Sequence, residues 1–548
     1  MHLNFSNGYY DGDVNSSNQM HGYGTYVWNS GTKYVGYWKN GNFHGKGTYY
    51  YEAGTYYSGD WYEDKKHGKG KETFSNGYYE GDYQLGQRTG HGVYVWNSGA
   101  RYEGGWANAK LHGKGKYTYP NGNYYEGDWY EDKKHGKGKE TFDNGYYVGA
   151  YKNGVRTGYG EYRWNGGSYY LGEFLEGKLH GKGKYTFASG NYYDGEWYQD
   201  KKHGKAKETF DNGYYEGEYK NGVRDGYGIY YWKDGDRYEG FWANGSHEGK
   251  GKYFYSTGTF YDGEWKAGKK HGVGLETYTQ GRFQGEYKNG KRDGHGRYTW
   301  NSGAEYDGEW KDDSKHGYGT YYFTNGNLYV GDWEKDMRTG FGKEIFDNGY
   351  YEGAYLSDKR TGEGVYIWNN GSSYQGGFKE GKLHGYGVLT YANGNTYHGD
   401  WVEDKKNGHG KEIFNNGYYD GDYKDGLKSG LGIYVWKVGD SYDGAWLGDK
   451  KHGFGKYTYA DGNYYEGDWV ENKRQGLGKE RYSDGFYDGQ FFAGLRSGYG
   501  TYTYNDGSVY EGEWQDGKKH GKGTYKKADG TVETGVWENG EKVDDPVN

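Results

Sequence analysis

Seven glutamates recur 68 residues apart in this sequence and are the first candidates for chemistry. They are Glu72, Glu140, Glu208, Glu276, Glu344, Glu412 and Glu480. Their spacing suggests two roles. We expect each carboxylate to be paired inside the fold, with a tyrosine hydroxyl or with a basic residue of the adjacent repeat such as Arg88 or Arg156. The alternative is that the carboxylates form a ladder that binds a partner with a matching periodic structure.

The eighteen histidines raise the question of a metal site. Most of them recur in a His-Gly-x-Gly pattern, as at His135-Gly136, and no second ligand follows at the spacing typical of zinc sites. We expect a structural role, in which the imidazole bonds a neighbouring turn. The sequence therefore predicts no metal and no cofactor.

Catalysis needs a unique arrangement of side chains, and this chain is repetitive almost throughout. No nucleophile elbow and no phosphate-binding loop is present in the sequence. The absence of cysteine excludes disulfides and thiol catalysis. We therefore predict that the protein is not an enzyme.

The candidate residues are carried by units of 22 or 23 residues, and searching for such periods comes before any other fold assignment. The glycine of a Tyr-x-Gly pattern marks each unit, from Gly12 to Gly535. Three units sum to 68 residues, so that Gly81, Gly149 and Gly217 begin successive triplets. Uninterrupted repetition predicts one continuous array over residues 1–548 rather than several domains.

The pattern inside each unit predicts two β-strands. Tyr125, Gly127 and Trp129 alternate with Glu126 and Asp128, so the first three share one face. Turn residues separate the strands, and Asn-Gly recurs between units. Because an aromatic ring can lie over a glycine on the neighbouring strand, the 21% aromatic content indicates an ordered sheet. We predict an all-β meander of about 24 hairpins.

The stretch from Tyr510 to Tyr525 reads Tyr-Glu-Gly-Glu-Trp-Gln-Asp-Gly-Lys-Lys-His-Gly-Lys-Gly-Thr-Tyr and resembles the MORN repeat (membrane occupation and recognition nexus). The resemblance extends over essentially the whole chain, with departures at Glu248, in place of histidine, and Ala206, in place of glycine. It implies an elongated, twisted, single-layer antiparallel sheet of tandem hairpins. It also implies a role as scaffold, spacer or interaction module, with phosphoinositide binding proposed for some members.

The net charge of −8 gives no basic excess for nucleic acid or for a general anionic membrane. We favour a rigid structural scaffold that associates end to end into a filament, so its first partner is a second copy of itself. One alternative is a module that binds phosphoinositide membranes, anionic lipid or cytoskeletal proteins. Another is an extracellular carbohydrate-binding or adhesive repeat. The start of the chain shows no signal pattern, so we expect a cytoplasmic or cytoskeletal protein, with an extracellular filament as the alternative.

The two ends of the sequence suggest how copies could join. Residues 1–8 match the second strand of a unit, residues 531–540 match a first strand, and residues 541–548 form an acidic tail. Unpaired strand edges favour strand addition, and a contact that does not close makes a filament. We expect Val532 and Trp537 to pair with Leu3 and Phe5 of the next molecule. Alternatively both ends are ordinary caps, with Asp544-Asp545 opposing the pairing.

Overall fold

The computed structural model describes residues 1–543, which form strands and turns and no helix. The chain folds as two compact units, Met1–Gly272 and Val273–Asn548, divided within strand β25 (Lys269–Tyr278). The single continuous array over residues 1–548 stays a prediction from the repeats.

The first unit contains 24 complete strands. They are β1 (His2–Phe5), β2 (Gly8–Val14), β3 (Met20–Trp28), β4 (Lys33–Lys39), β5 (Asn42–Tyr50), β6 (Tyr56–Tyr62), β7 (Lys65–Phe74), β8 (Gly77–Gln84), β9 (Gln87–Trp96), β10 (Arg101–Ala107), β11 (Lys110–Thr118), β12 (Tyr124–Tyr130), β13 (Lys133–Phe142), β14 (Gly145–Lys152), β15 (Val155–Trp164), β16 (Tyr169–Leu175), β17 (Lys178–Thr186), β18 (Tyr192–Tyr198), β19 (Lys201–Phe210), β20 (Gly213–Lys220), β21 (Val223–Trp232), β22 (Arg237–Ala243), β23 (Ser246–Phe254) and β24 (Phe260–Lys266).

The described part of the second unit contains the strands that follow β25. They are β26 (Gly281–Lys288), β27 (Lys291–Trp300), β28 (Glu305–Lys311), β29 (Ser314–Tyr322), β30 (Leu328–Glu334), β31 (Met337–Phe346), β32 (Gly349–Leu356), β33 (Lys359–Trp368), β34 (Ser373–Lys379), β35 (Lys382–Thr390), β36 (Thr396–Val402), β37 (Lys405–Phe414), β38 (Gly417–Lys424), β39 (Leu427–Trp436), β40 (Ser441–Leu447), β41 (Lys450–Thr458), β42 (Tyr464–Val470), β43 (Lys473–Tyr482), β44 (Gly485–Phe492), β45 (Leu495–Tyr504), β46 (Val509–Gln515), β47 (Lys518–Lys526), β48 (Val532–Glu538) and β49 (Glu541–Val543).

Within each unit the strands form an antiparallel meander in which each strand pairs with its neighbours in the chain. The marker glycines face one another across successive strands, as in Gly127–Gly138 and Gly138–Gly149. The predicted all-β fold of tandem antiparallel hairpins is therefore confirmed.

Two-residue turns connect the strands of many hairpins. Glu131 and Asp132, between β12 and β13, have φ angles of 47° and 67°, and Asn153 and Gly154 have 53° and 90°. Positive φ at both central residues is the signature of the type I′ turn, whose twist suits the strands on either side. A register shift between Gly127 and Asp128 interrupts the ladder of the same hairpin, and such bulges increase the local twist.

One face of the sheet is covered by aromatic rings, which form the core. Tyr125 is fully buried, and a Cβ atom placed on Gly138 would lie 2.5 Å from its ring, so only glycine leaves room for the ring to lie flat. The Tyr125 hydroxyl donates a hydrogen bond to the carbonyl oxygen of Asp128 at 2.9 Å. The indole of Trp129 donates to the carbonyl oxygen of Gly115 at 3.1 Å. The ring of one unit is thereby bonded to the backbone of the unit before it.

Candidate functional site

The predicted glutamate ladder lies on the aromatic face and is largely buried. Glu140 is 6% exposed and forms an ion pair with Lys134, six residues earlier on the same strand. Two tyrosine hydroxyls donate hydrogen bonds to its carboxylate, from Tyr151 at 2.7 Å and from Tyr119 at 3.1 Å. Glu72 has the equivalent contacts with Lys66 and Tyr83. The carboxylates are therefore bound within the chain and face away from solvent.

The last glutamate of the ladder uses different partners. Glu480 pairs with Arg474 on its own strand and accepts a hydrogen bond from Nε of Arg496 at 3.2 Å. Phe491 stands where the other units carry a tyrosine such as Tyr151, so no hydroxyl is available there. A second cation thus replaces the missing donor.

Burial and the neighbouring carboxylate fix the protonation state of the ladder tyrosines. Burial first, and then the charge of Glu140, raise the pKa of Tyr151 far above its ordinary value. Tyr151 is consequently a neutral donor at any physiological pH. Its hydroxyl therefore serves as a fixed hydrogen-bond donor to the Glu140 carboxylate.

The arginines of the adjacent repeats contact rings instead of most of the glutamates. The guanidinium of Arg88 lies 4.5 Å from the ring centre of Trp106 and 5.6 Å from that of Tyr79. Such cation–π contacts stabilise a charge where a carboxylate is absent. Pairing of a ladder glutamate with one of these arginines occurs at Glu480 and Arg496.

His67, His135 and His203, which recur 68 residues apart, contact tyrosine rings. His135 packs against Tyr130 with 5.7 Å between ring centres, and His67 packs against Tyr62 in the same way. The Nδ1 atoms of His67, His135 and His203 have no hydrogen-bond partner. These three Nδ1 atoms therefore do not form the expected bond to a neighbouring turn, whereas Nδ1 of His21 accepts a hydrogen bond from the backbone N–H of Asn40, in the turn after β4, at 3.5 Å.

One position on the aromatic face carries an apolar residue in some triplets, such as Phe43 and Leu179, and a titratable residue in others, such as His247 and Lys451. His247 stacks on Tyr238 with 3.7 Å between the ring centres. In an earlier triplet Phe43 stacks on Tyr34 in the same way, with 3.9 Å between the ring centres. Burial lowers the pKa of His247 to about 4. Burial likewise lowers the pKa of Lys451 to about 8, at the matching position of a later triplet. These groups are buried substitutions in the core, with no arrangement around them that would make them reactive.

The opposite face of the sheet is exposed to solvent. Its central line is formed by the residue between the two glycines of each Gly-x-Gly pattern, which we name the Gly-x-Gly row. In the first unit this row is rich in lysine: Tyr23, Lys46, Lys69, His91, Lys114, Lys137, Tyr159, Lys182, Lys205, Tyr227 and Lys250. Directly opposite many of these lysines lies an acid, as in Lys69–Asp82 at 2.6 Å and Lys114–Asp128 at 2.7 Å.

These ion pairs line two open grooves on the first unit. One groove, of about 860 Å³, includes Lys46 and Lys69 in its lining, and another, of about 720 Å³, includes Lys114 and Lys137. The hydrogen bond from Lys114 holds the pKa of Asp128 below its ordinary value. The acids and bases of this face therefore largely neutralise one another.

In the second unit the same row is mainly apolar and remains exposed. Its residues are Val273, His295, Tyr318, Phe341, Glu363, Tyr386, His409, Leu431, Phe454, Leu477, Tyr499 and Lys522. Leu431 is 69% exposed, Leu477 is 66% exposed and Phe454 is 61% exposed. Exposed apolar patches are typical of sites that bind proteins or membranes.

Sequence reasoning alone missed this surface. The change from lysine to apolar residues occurs at the residue between the two glycines of Gly-x-Gly. That residue is a lysine, Lys522, in the repeat that shows the family pattern most clearly. Comparing Lys182 with Phe454, or Lys205 with Leu477, four triplets apart, would have revealed it.

The predicted assembly residues lie at the two ends of the described chain. Leu3 and Phe5 lie in β1, which pairs with β2. Val532 is exposed in β48, whereas Trp537 is buried and packs 5.1 Å from the ring centre of Tyr510. The predicted tail from residue 541 begins instead as strand β49, which pairs with Val536–Glu538. Asp544 and Asp545 lie outside the described residues.

Two further searches bear on function. Within residues 1–543 no group of three or more histidine, cysteine, aspartate or glutamate side chains could hold a metal ion. Over the same residues there is no helix that is long and apolar enough to cross a membrane.

Several solved structures resemble parts of this chain only weakly. The TCP10 domain of Danio rerio CPAP, in complex with a peptide of Danio rerio STIL, is 11% identical, with 45% of this chain and 96% of that chain covered and a TM-score of 0.15. The SAS-4 (dCPAP) TCP domain of Drosophila melanogaster, in complex with a proline-rich motif of Ana2, is 16% identical over 31% and 86% of the two chains, with a TM-score of 0.18. A streptogramin B lyase is 11% identical over 48% and 81%, with a TM-score of 0.10. At these scores none of them carries an argument about function.

Comparison with curated proteins gives no match. The family model for the MORN repeat, in contrast, matches 23 consecutive segments, from residues 10–33 through 125–145 to 510–532. Those segments coincide with the hairpins in which a buried tyrosine, or Phe283 in one case, covers a pair of glycines, with Ala206 in place of one glycine. Since the matches extend over almost the whole described sheet, the chain belongs to the MORN-repeat family.

Proposed function

We propose that this MORN-repeat chain is a non-enzymatic scaffold that binds other proteins along the solvent face of its second unit. The observation that carries the proposal is the exposed apolar part of the Gly-x-Gly row, centred on Leu431, Phe454 and Leu477. The aromatic face cannot serve, because its rings and carboxylates already contact one another. The binding surface is therefore the face opposite the core.

Charge favours a protein over an anionic membrane as the partner. Two residues of the Gly-x-Gly row, Tyr386 and Phe454, lie opposite Asp400 and Asp468 on the neighbouring strands. No lysine or arginine of the described chain lies within ion-pair distance of these two aspartates. A phosphoinositide surface would meet these carboxylates with like charge. We accordingly rank protein binding above the lipid and carbohydrate alternatives.

Site-specific photo-cross-linking tests the proposal. A photoreactive phenylalanine analogue at position 431 should yield protein adducts of higher mass in cells. The same analogue at position 69, on the lysine-rich part of the row, is the matched control and should yield fewer. Protein adducts that are absent at position 431, or that consist of lipid alone, would contradict the proposed function.

We propose end-to-end self-association as a second role, supported by the strand edges. The outer edge of β1 pairs with no strand of the described chain, and β49 covers only Val536–Glu538 of β48. Among residues 1–543, no strand pairs with the outer edge of residues 532–535, and this edge would pair with β1 of a second copy. Deleting residues 1–8 should leave the fold intact, as measured by circular dichroism, and abolish concentration-dependent elongation in sedimentation. Fibres of unchanged axial repeat after the deletion would rule out this contact.

A further inference from the structure

The most continuous apolar stretch of the Gly-x-Gly row comprises Leu431, Phe454, Leu477 and Tyr499, with no polar member between them. The glycine that follows each of these residues has its Cβ position against a core tyrosine, as Gly455 has against Tyr442, and the four side chains project to solvent on the other face. We name these four residues the apolar ridge. They lie on β39, β41, β43 and β45, that is, on alternate strands.

Carboxylates lie opposite two of the four ridge residues, whereas Leu431 and Leu477 face Ala445 and Gln490. Phe454 is opposite Asp468, and Tyr499 is opposite Glu513. In the first unit, by contrast, an acid at this place faces a lysine, as Asp128 faces Lys114. Phe454 stands where the first unit has Lys182, so Asp468 faces a ring in place of a cation, and Glu513 likewise faces the ring of Tyr499. The ridge therefore combines apolar contact with negative charge.

The spacing of the ridge indicates the conformation of a ligand that crosses the strands. Adjacent strands lie about 4.8 Å apart, so side chains on alternate strands repeat every ~9.6 Å. Three residues of a polyproline II helix advance ~9.3 Å, whereas seven residues of an α-helix advance ~10.5 Å. Over the three steps of the ridge the mismatch is about 0.9 Å for polyproline II and about 2.7 Å for the α-helix. A polyproline II segment of roughly ten residues therefore stays in register.

Resting on the proposed function, we propose that the apolar ridge binds a basic, proline-rich segment of a partner protein in the polyproline II conformation. Every third residue contacts one ridge side chain, and lysine or arginine between these contacts pairs with Asp468 and Glu513. Polyproline II ligands commonly dock on exposed aromatic and apolar side chains, because the ligand loses little entropy on binding. The carboxylates select basic sequences among such segments.

A labelled synthetic peptide tests the proposal on the full-length protein. The probe is fluorescein-labelled (Pro-Pro-Arg)4, and its binding is followed by fluorescence anisotropy at two salt concentrations. We expect saturable binding that weakens at higher salt. In the double variant Phe454→Lys/Leu477→Lys we expect at least tenfold weaker binding. Since Lys182 and Lys205 occupy the matching positions in this chain, the variant should fold normally, which circular dichroism verifies.

Three comparison ligands make the result decisive. Equal binding of (Pro-Pro-Glu)4 would overturn the charge argument, and tighter ridge-dependent binding of an amphipathic helical peptide of equal charge would overturn the conformation. Binding of phosphatidylserine vesicles without binding of either peptide would overturn the partner class. Unchanged probe binding in the double variant would show that the apolar ridge is not the binding site and would overturn the proposal. If position 431 cross-links to proteins while the probe does not bind, the ligand class is wrong and the proposed function stands.

Discussion

At the scale of single residues, the buried glutamates show how a thin sheet accommodates charge. Each step of the ladder places a carboxylate among rings. At most steps a cation of the same strand and tyrosine hydroxyls contact it, as Lys134 and Tyr151 contact Glu140, while two arginines do so at Glu480. A buried ion pair contributes little net stability, but removing one partner leaves the other buried without compensation. The ladder therefore favours one register of the strands over others.

Glu140→Gln tests this structural role. The amide still accepts a hydrogen bond from Tyr151 but no longer neutralises Lys134, so we expect a loss of about 1–3 kcal/mol in the free energy of unfolding, measured by urea denaturation. Glu126→Gln on the solvent face is the matched control and should change stability by less than about 0.5 kcal/mol. Loss of assembly or binding with unchanged stability would instead indicate that a partner binds the glutamate ladder.

The buried histidine predicts acid sensitivity. With a native pKa of about 4 and an ordinary value of 6.5, His247 stays neutral in the fold while the unfolded chain takes up a proton between these values. Stability therefore falls as the pH decreases from 6.5 to 4, by about 2–3 kcal/mol from this group. In His247→Leu this part of the pH dependence should disappear from urea midpoints measured at each pH. Leu179→His, the reciprocal change in an earlier triplet, should introduce it, and equal pH profiles for all three proteins would refute the assignment.

Sequence reasoning identified part of this chemistry. The parity of the strand placed Glu140 on the aromatic face, and a tyrosine hydroxyl was an expected partner. The cation was missed because Lys134 lies six residues away on the same strand, beside a bulge that changes the cross-strand pairing near the turn. Alternation within a strand predicts the face of a residue, whereas the partner depends on register shifts that the residue pattern does not reveal.

At the scale of the hairpin, the contact between a ring and a glycine pair holds neighbouring strands together. The tyrosine ring lies over the glycines of its own and the next strand, and its hydroxyl bonds the backbone beyond them. Edge-to-face contacts such as Tyr125–Trp129, with centres 5.1 Å apart, extend the packing along the strand. This is why a sheet with few aliphatic residues has a core.

Gly138→Val tests the ring contact. The added side chain would have to displace the Tyr125 ring, so we expect a loss of ~1–3 kcal/mol in thermal or urea unfolding. Gly138→Ala is the matched control, because Ala206 occupies the same position one triplet later and is accommodated there. A valine variant as stable as the alanine variant would show that the ring does not require the glycine.

At the scale of the whole molecule, the repeat makes stability a sum of local terms. In each unit a strand contacts mainly the strands before and after it, as expected of a quasi-one-dimensional repeat protein. The 68-residue triplet was readable from the sequence because glycine and aromatic residues recur at fixed positions. The division into two units within β25 was not predicted, although the Gly-x-Gly row changes from lysine-rich to mainly apolar between Lys250 and Val273.

Removing one complete triplet tests whether the repeat is modular. Deletion of residues 128–195 joins Gly127 to Glu196, and the new sequence continues the Tyr-x-Gly-x-Trp pattern without a change of register. Since every strand at the junction finds a partner of the type it had before, we expect the shortened protein to give the same circular dichroism spectrum per residue and a similar melting temperature. Deletion of residues 128–161, half a triplet, joins Gly127 to Tyr162 and places a second-strand sequence where a first strand is required. That protein should melt at a clearly lower temperature, because the rings near the junction no longer face glycines. If the two deletions are equally stable, the triplet is a trace of duplication with no structural meaning.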